Sequence, residues 1–414
     1  MTSGLSSGLC RSESASECRR LMRLLAQDTI LRANPGYEVV LLDRLEPSQR
    51  QELQDSFDSG DLYGALVPRG RPGLAYRSVS FEIALLFFAL ATPGTLPRYA
   101  LQRLGEDAER TIRRLVIDEV LQVLYTGEFV SGHRVAELLP TRRYDDGEER
   151  CRNLSVAALR YAQELTGLRE AELALRLYSY GRQPLSPQLS RSLASPLAVA
   201  TYLGIAQDGP VSRALGHRWF AVPMRDDVRA HWWQWKPRST AVASATISDT
   251  SYKLYISPAI HDVRAALETV AGVLSTTQGV TGFKIGAGLP GMCRPDKMLV
   301  YSSHLDDLLK LAGKLDTSLG ECPAHGVPFT ASVRSDGLLS WGADPPAEHH
   351  GRRGSSWRSW LVVQLAEHLA SAKGARLTIL EPWQFALERL QLAGIDTVAW
   401  VPPTGAWPES LGGE

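Results

Sequence analysis

Lysine is missing from the first 235 residues of this 414-residue chain; the seven present stand at 236, 253, 284, 297, 310, 314 and 373, so 38 of its 45 cations are arginine. The bias fits an arginine-rich proteome and makes each lysine of the second half worth asking about. A surplus of charge is missing too: 45 basic residues balance 45 acidic ones, which removes the positive excess expected of a protein whose main affinity is for nucleic acid. Long apolar runs are absent. The longest, Ile83 to Ala91, has the length of a core helix, whereas a membrane span needs about 20 residues. Met1 to Glu17 is rich in Ser and Gly and lacks the apolar stretch of a secretory signal. The five cysteines, Cys10, Cys18, Cys151, Cys293 and Cys322, are scattered and never in CxxC spacing, which argues against a disulfide framework or structural zinc. A reduced, cytoplasmic setting is the expectation.

What is present is the composition of an ordinary folded protein, 44% apolar and 22% charged, in a chain long enough for more than one core. Residues 1 to about 20 read as a flexible lead-in, followed by a basic amphipathic helix around Cys18 to Ala33. From Tyr37 the texture turns to β-like runs, Tyr37–Leu42, Gly64–Pro68 and Leu74–Val79, the last two joined by a Gly/Pro turn that predicts a hairpin. Ser80 can cap a helix over Phe81–Leu90 that Pro93-Gly94 stops; Leu96–Leu104 and Glu106–Val116 follow as helices. Leu121–Tyr125, Thr126-Gly127 and Glu128–Val130 then spell strand, turn, strand. The order predicts a winged helix-turn-helix with a β-hairpin in front. Its third helix mixes Arg110, Arg113 and Arg114 with Glu106, Asp107, Glu109 and Asp118, acids that would repel phosphates; a DNA-binding regulator is the weakest reading.

The stretch from Tyr37 to Val130, with Ala65-Leu-Val-Pro, Leu74-Ala-Tyr-Arg-Ser-Val-Ser-Phe-Glu-Ile-Ala-Leu-Leu and Ala108-Glu-Arg-Thr-Ile-Arg-Arg-Leu, resembles the PqqD-like recognition element of enzymes that modify ribosomally made peptides. The resemblance implies a groove between hairpin edge and third helix into which a precursor's leader peptide adds as a strand, with Leu74, Tyr76, Arg110 and Arg114 as peptide contacts. A structural winged helix with no peptide ligand is the plain alternative.

A charge-dense linker at residues 141–151 leads to helices Ser155–Leu165 and Glu170–Tyr180, a Pro/Ser-rich turn and a short helix near Ala198–Leu203, read as a helical connector. Trp219, Trp232, Trp233 and Trp235 suggest a packed strand, either core or an aromatic wall beside a cleft. Beyond Ser251 strands and helices alternate: Tyr252–Ile256, helix His261–Leu274, Gly282–Gly286, Arg294–Tyr301, helix His304–Leu315. An antiparallel or mixed sheet with helices on one face is expected. Period-2 alternation aims Lys284 away from Phe283 and Ile285, leaving it either a surface residue or a cation over a cleft.

Here the runs Tyr252-Lys-Leu-Tyr-Ile, Gly282-Phe-Lys-Ile, Arg294-Pro-Asp-Lys-Met-Leu-Val-Tyr, Val327-Pro-Phe-Thr, Gly337-Leu-Leu-Ser-Trp-Gly-Ala-Asp-Pro-Pro and Ser355-Ser-Trp-Arg-Ser-Trp look like the HopA-type effector family over residues 250–370, departing from it where Ser356–Trp360 replaces a simpler Ser-Phe-Gly run. That family includes lyases of class V lanthipeptide and thioamitide pathways, similar to phosphothreonine lyases. Eliminating phosphate from phosphoserine or phosphothreonine requires a base for the α-proton, cations for the departing phosphate and a donor near the bridging oxygen. A lysine serves as base only when burial or neighbouring cations lower its pKa; Lys284 near Lys253, Arg294 and Lys297 would meet that demand. The planar fork of arginine suits phosphate, so Arg294 is the first choice for that role, with Lys253, Lys297 and Arg358 beside it and Asp296 orienting Arg294 or Lys297. His325, ahead of a strand, is preferred to His304 as acid, and Tyr301 completes the catalytic set. Taken singly, Lys284 can be a solvated strand lysine, Arg294 a partner of Asp296 or Asp306, and His325 a loop histidine. His349-His350 lacks a third ligand at regular spacing, so no metal is assigned. Gly286-Ala-Gly288-Leu-Pro-Gly291 resembles a phosphate loop only superficially, because Pro290 intervenes and no long helix follows.

The expected architecture is α+β: flexible lead-in and helix over 1–36, winged helix-turn-helix with β-hairpin over 37–140, helical connector over 141–215, and a sandwich-like α+β domain over 216–414. The expected role is maturation of a ribosomally made peptide by a lyase that needs no cofactor. No kinase signature occurs in the chain, so a separate Ser/Thr peptide kinase would supply the phosphate; the precursor peptide, leader and phosphorylated core, and a cyclase complete the partners, with neither nucleic acid nor membrane. The alternative is a non-catalytic scaffold holding peptide and partner enzymes together.

Overall fold

The computed structural model describes residues 29–53, 62–70, 76–104, 108–136, 149–222, 232–238, 252–345, 356–373 and 381–401. Helices and antiparallel sheets alternate along them, an α+β composition. The chain divides into two compact units, one of residues 1–143 with 368–393, the other of residues 144–367 with 394–414.

The first unit runs β1 (Leu31–Ala33), β2 (Tyr37–Leu41), α1 (Pro47–Glu52), β3 (Leu62–Pro68), β4 (Arg77–Ser80), α2 (Phe81–Ala89), α3 (Arg98–Leu104), α4 (Ala108–Ile117), β5 (Leu121–Tyr125), β6 (Glu128–Val130) and α5 (His133–Ala136). β3 pairs with both β2 and β4, and β5 with both β1 and β6. Ser80 accepts the Ile83 N–H at 3.4 Å and so caps α2. Thr126 and Gly127 both take positive φ, 45° and 85°, the twist a two-residue hairpin between β5 and β6 requires. Leu31–Ala33 is a strand where the sequence suggested the end of a helix: Leu31 and Ala33 alternate into the core and β5 offers them a ladder. Thr29 and Ile30 before it are not helical either, and residues 18–28 of that expected helix lie outside the described residues. Leu31, Leu66, Val79, Leu86, Ile112, Val116 and Val123 form the core with Phe385 from a helix at Pro382–Leu392.

The second unit opens with α6 (Arg150–Glu164), α7 (Glu170–Ser179), α8 (Pro187–Ser192), α9 (Pro196–Tyr202) and α10 (Pro210–Leu215). Strands and helices follow as β7 (Trp219–Val222), β8 (Trp232–Pro237), β9 (Tyr252–Ile256), α11 (Val263–Thr276), β10 (Val280–Gly286), α12 (Gly288–Met292), β11 (Met298–Ser302), α13 (Leu305–Leu319), β12 (Ala331–Ser332), β13 (Leu339–Ala343) and α14 (Trp357–Lys373), whose first eleven residues belong here. One antiparallel sheet of seven described strands has the order β12-β13-β9-β11-β10-β8-β7. Its side chains divide by parity. Leu254, Ile256, Phe283, Ile285, Met298 and Val300 enter the main core with Leu267 and Val270 of α11 and Leu308, Leu311 and Leu315 of α13. The alternate positions of the three central strands carry Lys253, Tyr255, Lys284, Leu299 and Tyr301 to the other face, where Tyr255, Leu299 and Val327 build a smaller apolar floor with Trp232 and Tyr301. The glycines after Lys284 serve packing: a methyl on Gly286 would lie 2.6 Å from the Gly291 Cα, so α12 can press on the end of β10 only without side chains there.

Candidate functional site

Three neighbouring strands bring the cations of the second unit together. Lys284 on β10 and Lys253 on β9 flank Tyr301 of the intervening β11, with Nζ atoms 5.3 and 5.5 Å from its ring centre. Trp232 on β8 lies 4.3 Å from Lys284 Nζ and 4.7 Å from the Arg294 guanidinium, so one indole contacts both. Burial, then the charge of Lys253, draws the Lys284 pKa down from 10.5 to about 8. Roughly one molecule in ten therefore carries the free amine at pH 7, by the ordinary titration relation. Lys253 is ion-paired to Asp344, whose other oxygen accepts the Trp357 N–H at 2.8 Å at the start of α14. Burial raises the Tyr301 phenol above its usual value and Asp344 adds to the shift, so the hydroxyl stays neutral.

Beside the lysines a buried carboxylate holds two guanidiniums. Arg294 donates from Nε to Asp296 Oδ1 and from Nη2 to Asp296 Oδ2, both at 2.9 Å. Arg358 places Nη1 2.9 Å from the same Oδ2 and donates to the carbonyls of Pro328 and Tyr178, each at 3.0 Å. Burial alone would raise the Asp296 pKa, but Arg358 and Arg294 overcome it and hold the carboxyl well below its usual range. Arg358 is 1% exposed; its Nη1 makes the ion contact without a hydrogen bond, and burial keeps it from a ligand. Arg294 keeps Nη1 without a hydrogen-bond partner among the described residues. Four cations thus face two carboxylates, Asp296 and Asp344, and the positive surplus sits over an aromatic floor. Such a place favours an anion and, through Lys284, offers a weak base.

Lys297 and His325 form a separate pair. Lys297 Nζ donates to the Pro258 carbonyl and approaches His325 Nδ1, both at 2.8 Å; His325 Nε2 meets the Gly181 carbonyl at 2.5 Å. A carbonyl only accepts, so Nε2 carries the proton and Nδ1 accepts from Lys297, a tautomer assigned from the network. Burial pulls Lys297 to about 7; burial, then the Lys297 charge, pulls His325 to about 4. Both ring nitrogens of His325 are engaged, and the ring fastens the chain after α7 to the strands instead of facing Lys284. Lys297 shares its place and is fully buried.

Of the peptide contacts expected in the first unit, Tyr76 is half-buried just before β4 and Arg114 is exposed on α4, its Nε 3.6 Å from Asp118; Leu74 and the side chain of Arg110 lie outside the described residues. So does the His349-His350 loop. Among the described residues no group of three or more His, Cys, Asp or Glu could hold a metal, and no helix is long and apolar enough to cross a membrane. Sequence reasoning missed Tyr178 and Asp344. Tyr178 meets Arg294 and Asp296 from a helix 116 and 118 residues away, a distance no local pattern encodes. Asp344 reaches the start of a helix 13 residues further on, a spacing that no local capping pattern encodes.

No protein-family profile matches the chain, and no curated protein matches it. Among solved structures, the effector protein from Pseudomonas syringae pv. tomato strain DC3000 is similar over 62% of this chain and 99% of its own, at 11% identity and a TM-score of 0.41. The effector protein from Pseudomonas syringae pv. syringae strain 61 is similar over 61% of this chain and 98% of its own, at 14% identity and a TM-score of 0.39.

Proposed function

We propose that the protein is a lyase of ribosomal-peptide maturation that eliminates phosphate from phosphoserine or phosphothreonine of a precursor peptide. The observation that carries this reading is Lys284, with its pKa lowered to about 8 beside Lys253 and Arg294. In the reaction Lys284 Nζ takes the α-proton, the electron pair of the Cα–H bond becomes the Cα=Cβ bond, and the Cβ–O bond breaks with its pair leaving on phosphate. Arg294 and Lys253 neutralise the departing anion. His325, expected to protonate it, is engaged on both nitrogens and contributes by anchoring. A separate kinase supplies the phosphate.

The first unit supports the capture half of the proposal. Three helices between β4 and the β5–β6 hairpin fit the order expected of a winged helix, and β4 is an edge strand of its sheet among the described residues, a place where a peptide strand could add. Incubation with a phosphothreonine peptide carrying its cognate leader should release phosphoric acid, seen as a mass loss by mass spectrometry. Equal turnover by wild type and Lys284→Ala would overturn the lyase assignment. Leader affinity is separable: Arg114→Glu should weaken it about tenfold in fluorescence anisotropy.

A further inference from the structure

Tyr178 projects from α7 into the Arg294–Asp296–Arg358 group and touches every member of it. Its hydroxyl lies 3.2 Å from Arg294 Nη2, from which it accepts, and 3.3 Å from Asp296 Oδ2, to which it donates. Its ring centre lies 4.7 Å from the Arg358 guanidinium and 5.6 Å from that of Arg294, and its carbonyl takes the third contact of Arg358. Asp296 holds Arg294 by Nε and Nη2, which leaves Nη1 over, and the Tyr178 hydroxyl adds a second acceptor at Nη2 while joining the same carboxylate oxygen. Arg358 is 1% exposed, bound to two carbonyls and covered by the ring, whereas Arg294 is the less buried of the two. Burial, with Asp296 adding to it, raises the Tyr178 pKa, so the phenol remains a donor throughout the working range.

We infer that Tyr178 is a positioning residue of the anion site: its hydroxyl braces the Arg294 fork that Asp296 holds, so that Nη1 presents to a phosphate group beside Lys284 and Lys253. The inference rests on the phosphate-binding half of the proposed function and not on elimination. Acting through Arg294 and not on the ligand itself, its effect should be that of one ordinary hydrogen bond, about five- to tenfold.

The probe is inorganic phosphate, titrated by calorimetry into the full-length chain. Wild type should bind it, Tyr178→Phe should bind about five- to tenfold more weakly with an unchanged thermal midpoint, and Tyr161→Phe on the neighbouring α6 should bind as wild type does. With phosphopeptide as substrate, Tyr178→Phe should raise KM by a similar factor and leave kcat within about twofold. Equal phosphate affinity in Tyr178→Phe and wild type overturns the inference, as does a wild type that binds no phosphate. A role in folding alone would lower the thermal midpoint and leave the affinity of the folded protein unchanged, which also overturns it. Phosphate binding without elimination would refute the lyase reading and leave Tyr178 in place.

Discussion

Lys284 is costly to the fold that holds it. Below pH about 8 the folded chain carries an ammonium that burial and Lys253 disfavour; between about 8 and 10.5 the unfolded chain binds a proton the folded one has released, so stability rises with pH across that window and is flat below it. Lys284→Met should therefore stabilise the protein by about 1–3 kcal/mol at pH 7, the contacts with Trp232 and Tyr301 offsetting part of the relief. The gain should shrink as pH climbs toward 10.5, measured as urea midpoints at several pH values. For the proposed elimination the same titration predicts initial rates that climb with pH to a plateau above about 8. Asp296→Asn should act in the opposite sense on the fold: Arg358, 1% exposed, would keep its charge without a counter-charge, a loss of about 3–5 kcal/mol. Much of this site was legible in sequence, because scarce lysines and strand parity single out Lys253 and Lys284, and Arg294 and Asp296 are separated by one residue. Tyr178 was not, since its partnership exists only once α7 has packed.

At the scale of elements, period and punctuation carried most of the information. Phe283, Ile285, Met298 and Val300 are buried because alternation leaves them no other face, and Ser80, Thr126 and Gly127 stop or turn the chain by local chemistry. β1 was misread as helix because three residues are too few to show a period, and β5, which gives them a ladder, lies 90 residues on. The glycines at 286 and 291 invited comparison with a phosphate loop, whereas their role is backbone contact between β10 and α12. Gly286→Ala should cost at least about 2 kcal/mol in urea unfolding, because its methyl meets backbone atoms of Gly291 that have nowhere to move.

At the scale of the whole chain, unit boundaries do not follow sequence order. The first unit draws Phe385 and Ala372 into its core from the C-terminal part of the chain, a return that composition and linkers did not announce, since a core records only which apolar faces met. A chain lacking residues 1–143 should consequently expose these side chains and bind a hydrophobic dye such as ANS several-fold more strongly than the intact protein.

The same return has a consequence in time. The first unit is begun by residue 31 yet lacks Phe385 until nearly the whole chain has been made. At a synthesis rate of about 5–20 residues per second, its N-terminal strands wait about 15–70 seconds on the ribosome for their last partner. The second unit's seven-stranded sheet is fully synthesised within that interval. The first unit is thus started first and finished last, so its incomplete core is the one a nascent-chain chaperone would meet.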